Sequence, residues 1–176
     1  MIRRAQAGDV GQISQIYDEL HTEEEAGRAV IGWIRGVYPT QKTAEDAIRL
    51  GHMFVAEENG RIVAAAKLNQ IQEPAYALVS WHYDAPADQV MVLHTLVVSP
   101  GAGSRGYGTK FVSFYEQYAL AHGCRYLRMD TNAKNLRART LYKRLGYMEA
   151  GIVPTVFNGI QDVRLVCLEK RLKGEE

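Results

Sequence analysis

At 176 residues, with 47% hydrophobic and 23% charged side chains, the chain has the make-up of one ordinary globular domain, which excludes disorder. A formal net charge of +1 offers no basic surface for nucleic acid, so a small molecule or a peptide is the expected partner. No apolar run approaches the ~20 residues of a bilayer span and "MIRRAQAGDV" has no signal-peptide core, so no membrane partner is expected and the location is read as cytoplasmic.

Ile2 to Ala5 read as a short opening strand, and Val10, Ile13, Ile16, Tyr17 and Leu20 then recur at the spacing of an amphipathic helix. In "AGRAVIGWIRGVYPT", Gly27, Gly32, Gly36 and Pro39 interrupt any period while Trp33, Ile34 and Tyr38 stay apolar; a broken helix covering a cleft is expected. Thr43 is read as the cap of a short helix, "AEDAIRLG", with Glu45 and Asp46 in its first turn and Gly51 as its stop. Two apolar segments joined at Asn59-Gly60 predict a hairpin. Residues 73–88 mix prolines with Tyr76, Trp81, His82 and Tyr83, and "QVMVLHTLVVS" then reads as a buried strand. Phe111, Val112, Tyr115, Tyr118 and Ala119 mark one face of a helix ending near Gly123. "CRYLRMDT" is a strand, "NLRARTLYKRLG" a helix, and the segments around Asn158-Gly159 a closing pair of strands, with 1–172 as one domain and 173–176 as a polar tail. Cys124 and Cys167 lie far apart inside apolar runs, in no zinc spacing; they read as reduced core thiols, and no metal site is expected.

The Gly-rich stretch "VVSPGAGSRGYGTKFV" between the buried strand and the next helix fits two patterns. From Gly101, GAGSRG matches the G-x-G-x-x-G of a dinucleotide-binding turn, and Asp130 sits near the acidic position such a fold uses at the end of its next strand. Against that reading, Pro100 separates the strand from the first glycine, too little chain follows for a doubly wound sheet, and the preceding hairpin implies a mixed one. From Gly103, GSRGYG matches a G-x-x-G-x-G loop. Its backbone amides from Ser104 to Thr109, ahead of a helix N-terminus, would form a nest for a pyrophosphate, with Gly106 and Gly108 allowing close approach.

The second pattern extends along the chain. "LHTLVVSPGAGSRGYGTKFV" resembles the coenzyme A-binding core of the GNAT (Gcn5-related N-acetyltransferase) family, whose loop reads R/Q-x-x-G-x-G/A after a strand ending in V-x-P. "NAKNLRARTLYKRLGY" is similar to that family's N-x-x-A-x-x-L-Y-x-x-x-G-F/Y helix, and with "IRRAQAGDVGQI" and "FVAEENGRIVAAA" the likeness covers nearly the whole chain. It implies an α/β (α+β) fold, with a mixed, mostly antiparallel sheet of six to seven strands flanked by helices. It also implies an N-acetyltransferase that moves an acetyl group from acetyl-CoA to a primary amine of a small molecule or peptide, by direct transfer in a ternary complex. A non-catalytic acetyl-CoA-binding module and a Rossmann-type dinucleotide-binding protein are the alternatives, and an edge strand leaves room for a homodimer. The chain departs from the pattern at Gly103, where the family usually has Arg or Gln, and Arg105 is the candidate to compensate.

By the same resemblance, the amides of Leu96 and Val98, on either side of Val97, hold the pantetheine arm and the acetyl oxygen. Gly103, Ser104, Arg105, Gly106, Tyr107, Gly108 and Thr109 then bind the pyrophosphate, Asn135 contacts the pantetheine arm, and Tyr142 gives a proton to the leaving thiolate. Helical spacing puts Asn135, Ala138, Tyr142 and Leu145 on one face, a pattern that fits equally a core tyrosine bonded to a carbonyl. An alkyl amine lies about three pH units from neutral at pH 7, so a base is expected. His94 is the candidate: its ordinary pKa of about 6.5 suits the task. "LHTLVV" also resembles the "LHVLAV" strand of the arylalkylamine acetyltransferases, although their companion histidine is Val92 here. Strand alternation puts His94 on one face with Val92, Leu96 and Val98, and Glu57, Asp84 and His82 are fallback bases through a water. Trp33, Tyr38, Trp81, Tyr83 and Phe157 lie in the segments that set acceptor choice in the family; they are the candidate acceptor pocket, with plain core cover as the competing reading.

Overall fold

Two Asn-Gly turns fix the hairpins. Asn59 and Gly60 have φ of 50° and 75°, Asn158 and Gly159 have 50° and 83°, the left-handed pair that a two-residue turn between twisted strands requires. The first joins β2 (Met53–Glu58) to β3 (Arg61–Asn69), the second β6 (Met148–Phe157) to β7 (Ile160–Arg171). With β1 (Ile2–Arg4), β4 (Val90–Val98) and β5 (Tyr126–Asn132) they form one seven-stranded sheet in the order β1-β2-β3-β4-β5-β7-β6. Every neighbouring pair is antiparallel except β4 and β5. The mixed, mostly antiparallel architecture is therefore the expected one. The computed structural model describes residues 1–173, so the last three residues of the predicted polar tail lie outside the described residues.

Helices cover both faces. On one, α3 (Tyr107–Ala121) and α4 (Leu136–Arg144) bury Phe111, Val112, Tyr115 and Tyr142 against Met91, Leu93, Leu127, Met129 and Leu168. On the other, α1 (Val10–Glu25) and α2 (Gln41–Arg49) set Ile13, Ile16, Tyr17 and Ala44 against Met53, Val55, Ala65 and Val97. The short helix begins earlier than its sequence suggested. Thr40 is its cap, and Thr43, three residues on, accepts from the Thr40 amide at 3.0 Å, a reciprocal box that leaves Glu45 and Asp46 in the body of the helix. Residues 26–40 form no helix at all; left-handed glycines at 27, 32 and 36 hold an irregular loop.

Strand β4 departs from simple alternation. Its register with β3 runs Lys67 opposite His94 but Ala65 opposite Val97, so two residues, Thr95 and Leu96, face Ala66 alone. Thr95 takes φ 53° to absorb the extra residue. The bulge flips the parity of everything after it: Met91 and Leu93 face α3, and beyond the bulge so do Leu96 and Val98. His94 points to the opposite face with Val90 and Val92, and the predicted shared face with Leu96 and Val98 is corrected accordingly.

The connection from β3 to β4 is pinned from beneath by a buried polar cluster. Arg128 donates to Gln72 Oε1 at 2.5 Å and stacks its guanidinium 4.0 Å from the Trp81 ring, while the buried Glu169 accepts from the His82 amide and ring Nδ1 at 2.5 and 2.7 Å. Removing one partner of such a cluster leaves the rest desolvated and unpaired. Arg128→Leu is expected to cost about 3 kcal/mol of stability, read from the urea midpoint at an unchanged slope.

Candidate active site

The parallel pairing of β4 with β5 ends at Leu93 and Met129, after four residue pairs. Beyond that point β4 stays with β3 and β5 with β7, and the strands part around a cleft of about 950 Å³ that opens through the sheet. Parting strands leave ladder groups unpaired. The Ser99 amide bonds to Val63 O at 2.8 Å, so Val97 is the next residue of β4 to bond β3, and the amides of Leu96 and Val98 face the gap that β5 has left.

Along the same edge the chain turns through Gly103 into α3. Ser104 and Gly106 adopt φ of 65° and 78°, and the first helical bond runs from Lys110 to Gly106. The six amides from Ser104 to Thr109 have no protein partner among the described residues, and as a group they can receive an anion. Gly108 packs closely on α4: a Cβ there would sit 3.2 Å from Leu141 Cδ2, which would have to give by a few tenths of an ångström. Arg105 does not line the cleft; it pairs with Glu58 at 3.2 Å on the exterior. The cation beside Gly103 is Arg137 of α4, whose Nη2 would lie 3.9 Å from a Cβ at that glycine and which forms no ion pair among the described residues.

Asn135 caps α4, accepting from the Ala138 amide at 3.1 Å, and lines the cleft with Tyr142 about two turns later. The Tyr142 hydroxyl has no hydrogen-bond partner among the described residues, unlike that of Tyr115, which donates to the carbonyls of Met91 and Arg128. Burial first, and the charge of Asp130 second, hold the Tyr142 phenol well above its usual range, so it keeps its proton.

On the α1 side of the sheet the cleft is walled by Trp33, Tyr38 and Phe157, with Tyr38 edge-on to both neighbours at 6.1 and 6.3 Å. Trp81 and Tyr83 lie elsewhere, Trp81 against Tyr76 and Arg128, Tyr83 against Tyr126. None of Glu57, Asp84 and His82 reaches the cleft lining, and Glu57 is occupied by Arg3. The loop after α1 crosses the mouth: the Glu24 carboxylate accepts the amides of Ile31 and Gly32, and Gly32 lies so close to Asn132, at the end of β5, that a Cβ would meet its side chain at 2.2 Å.

His94 borders the cleft with both ring nitrogens engaged. Asn69 Oδ1 accepts from the Ile71 amide at 2.9 Å, which fixes the orientation of that side-chain amide, so His94 Nε2, 2.8 Å from the same oxygen, must be the donor. Its Nδ1 meets Glu73 Oε1 at 3.1 Å, and this contact holds the Glu73 carboxyl below its ordinary value. Glu73 was not singled out in the sequence, because a glutamate in a proline-containing connection carries no motif. Asp130 was noted there only for the dinucleotide pattern. It stands on the cleft floor where β5 leaves β4, and accepts from the Tyr76 hydroxyl at 2.6 Å. Burial pushes its carboxyl up to about 7, the Tyr76 bond opposing and the Glu73 charge adding.

The acetyltransferase (GNAT) family profile matches residues 13–147. The thialysine N-epsilon-acetyltransferase of Bos taurus is 30% identical over 157 residues, 83% of this chain and 82% of its own. Among solved structures, a GNAT-family acetyltransferase from Streptococcus agalactiae superposes with a TM-score of 0.82 at 23% identity, over 99% of this chain and 96% of that one. A Salmonella typhimurium protein solved with its cofactor acetyl-CoA gives 0.68 at 19% identity, over 100% and 95%.

The raised Asp130 value has a direct consequence for stability. The unfolded chain releases this proton near pH 4 and the folded chain near pH 7, so the folded state binds more protons between them and loses stability as pH rises through that window. At about 1.4 kcal/mol per tenfold change in proton affinity the ceiling is about 4 kcal/mol, reduced by water in the cleft. Asp130→Asn is expected to match wild type at pH 4 and to gain about 1–3 kcal/mol on it by pH 7.5, read from urea midpoints at the two pH values.

Proposed function

The chain belongs to the acetyltransferase (GNAT) family, and from that membership we propose that it moves the acetyl group of acetyl-CoA directly to the primary amine of a small molecule or a peptide. The observation that carries this reading is the run of six free amides from Ser104 to Thr109, continuous with the free amides of Leu96 and Val98 and leading to the Tyr142 hydroxyl. A diphosphate, an extended amide-bearing arm and a thioester need these three things in this order.

The residues fit the carrier without invoking a covalent enzyme intermediate. Cys124 and Cys167 are buried and neither lines the cleft. Acetyl-CoA supplies an acyl thioester, whose carbonyl carbon accepts the amine and whose sulfur departs. In this reading the nest grips the diphosphate, Arg137 faces it where the family's usual Arg or Gln is replaced by Gly103, and Asn135 meets the pantetheine arm. The amides of Leu96 and Val98 donate to that arm and to the carbonyl oxygen, on which negative charge grows as the C–N bond forms. Tyr142 holds its proton for the sulfur as the C–S bond breaks. Across one turnover the ammonium nitrogen loses two protons; one goes to water through a base on the cleft floor, and the other replaces the proton that Tyr142 gave up. His94 serves in this scheme from behind Glu73, since neither of its nitrogens is free.

The acceptor enters from the other face of the sheet, between Trp33, Tyr38 and Phe157, with the carboxyls of Glu73 and Asp130 ahead of it. Aromatic rims and half-buried carboxyls suit a slim cationic amine. The name of the Bos taurus relative, which places its acetyl group on the side-chain amine of thialysine, supports the same class.

An acetyl-CoA-dependent thiol-release screen over amino acids, polyamines, aminoglycosides and peptides tests the reading; acetyl-CoA binding without turnover of any of them would make the chain a binding module. Tyr142→Phe is expected to lower kcat by about 100-fold or more at an unchanged KM for acetyl-CoA. In titration calorimetry Arg137→Ala is expected to weaken acetyl-CoA about tenfold, the scale of one charge-assisted contact, and Arg105→Ala to leave it within about twofold.

A further inference from the structure

The cleft floor holds two carboxyls on which the protein has imposed opposite conditions. Glu73 faces the cleft with one oxygen committed to His94, whose far nitrogen is in turn fixed by Asn69. That partner favours the anion. Asp130 has one oxygen held by the Tyr76 hydroxyl at 2.6 Å, and its other oxygen has no partner among the described residues. Carboxyls whose surroundings drive them apart in proton affinity divide labour, the stable anion binding charge and the other moving protons.

The geometry points to Asp130 as the catalytic base, its free oxygen taking a proton from the acceptor's ammonium while the Glu73 carboxylate, positioned by His94, seats that ammonium. The N–H bond breaks and its electron pair stays on nitrogen as the attacking lone pair; an O–H bond forms on Asp130, and the proton passes to water before the next turnover. No oxidant or further reactant is needed. This inference rests on the acetyltransferase reading and replaces His94 as the proton acceptor within it.

Titratable groups face Asp130 from every element around the floor. Tyr76 and Glu73 of the connection before β4 and Lys67 of β3 act on its carboxyl, and its charge in turn raises Tyr38 of the loop before α2, Cys167 of β7 and Tyr142 of α4. Lys67, itself pressed toward neutrality by burial, and the Tyr76 hydroxyl favour the anion; Glu73 opposes it, and so does burial among these groups. Proton affinity near neutrality is what a base acting on an alkyl ammonium at pH 7 requires.

The test uses two small acceptors in the presence of saturating acetyl-CoA: ethylamine, which is an ammonium at pH 7, and 2,2,2-trifluoroethylamine, which is already neutral there. Asp130→Asn is expected to lower kcat/KM for ethylamine by about 100-fold or more and for the fluorinated amine by less than tenfold, and to remove the acid limb of the ethylamine pH profile. Equal losses on the two amines, or none, overturn the assignment and leave the acetyltransferase reading standing. Acetyl-CoA that fails to bind in calorimetry overturns both. Infrared difference spectra of the free protein give a readout independent of turnover: a protonated-carboxyl band absent from Asp130→Asn should titrate near pH 7. If neither amine reacts, that band decides, and an Asp130 fully ionised by pH 5 overturns the proposal.

Discussion

The parting of β4 from β5 is the constraint on which everything else depends. A parallel pair that stays together would spend its inner amides on the ladder, and the sheet would be closed. Here pairing stops at Leu93 and Met129, and the amides of Leu96 and Val98 are left facing the gap. The separation is stabilised from both sides. β5 continues with β7 through Asp130, Thr131 and Asn132, while β4 continues with β3 beyond the Thr95 bulge, so neither strand loses both neighbours. The gap passes through the sheet, from the N-terminus of α3 on one side to the face where Glu73 and Asp130 stand on the other.

Much of this arrangement was written in local sequence. The Asn-Gly hairpins, the order of strands and helices, the unpaired amides from Ser104 to Thr109 and the helix bearing Asn135 and Tyr142 all follow from short-range chemistry: turn conformations, hydrophobic period and glycine placement. What escaped was set by long-range packing. A bulge is one extra residue in a strand that otherwise alternates, and nothing in "VLHTLVV" marks Thr95 as the left-handed one; the face assigned to His94 failed for that reason. Trp81 and Tyr83 have the composition of a binding wall but cover the buried Arg128 and Tyr126 instead. Arg105 sits in the loop yet turns outward to Glu58, and Arg137 arrives beside Gly103 from another helix. Proximity in sequence did not reveal which arginine would face the cleft.

The polar groups of the floor show the same dependence on distant contacts. Residues 70–83, which bring Glu73 to the cleft, are tied down by Arg128 on β5 and Glu169 on β7, on the same sheet face as Asp130. Asp130 is tuned by Tyr76 from that connection and by Lys67 from β3. The buried charges of Arg128 and Glu169 thus hold the connection that carries Glu73 and Tyr76, and those two residues act on Asp130. Substitutions beneath the connection would reach the chemistry without touching any ligand.

The crossing of Gly32 over Asn132 bears on what can pass the mouth of the cleft. There main chain meets a short side chain so closely that a methyl group on residue 32 would oblige the Asn132 amide to move. Exchanging the rings at Trp33, Tyr38 or Phe157 would repaint the walls of a doorway whose frame stays fixed. Divergence toward bulkier acceptors would have to begin with the backbone between α1 and α2, through a longer or shorter loop.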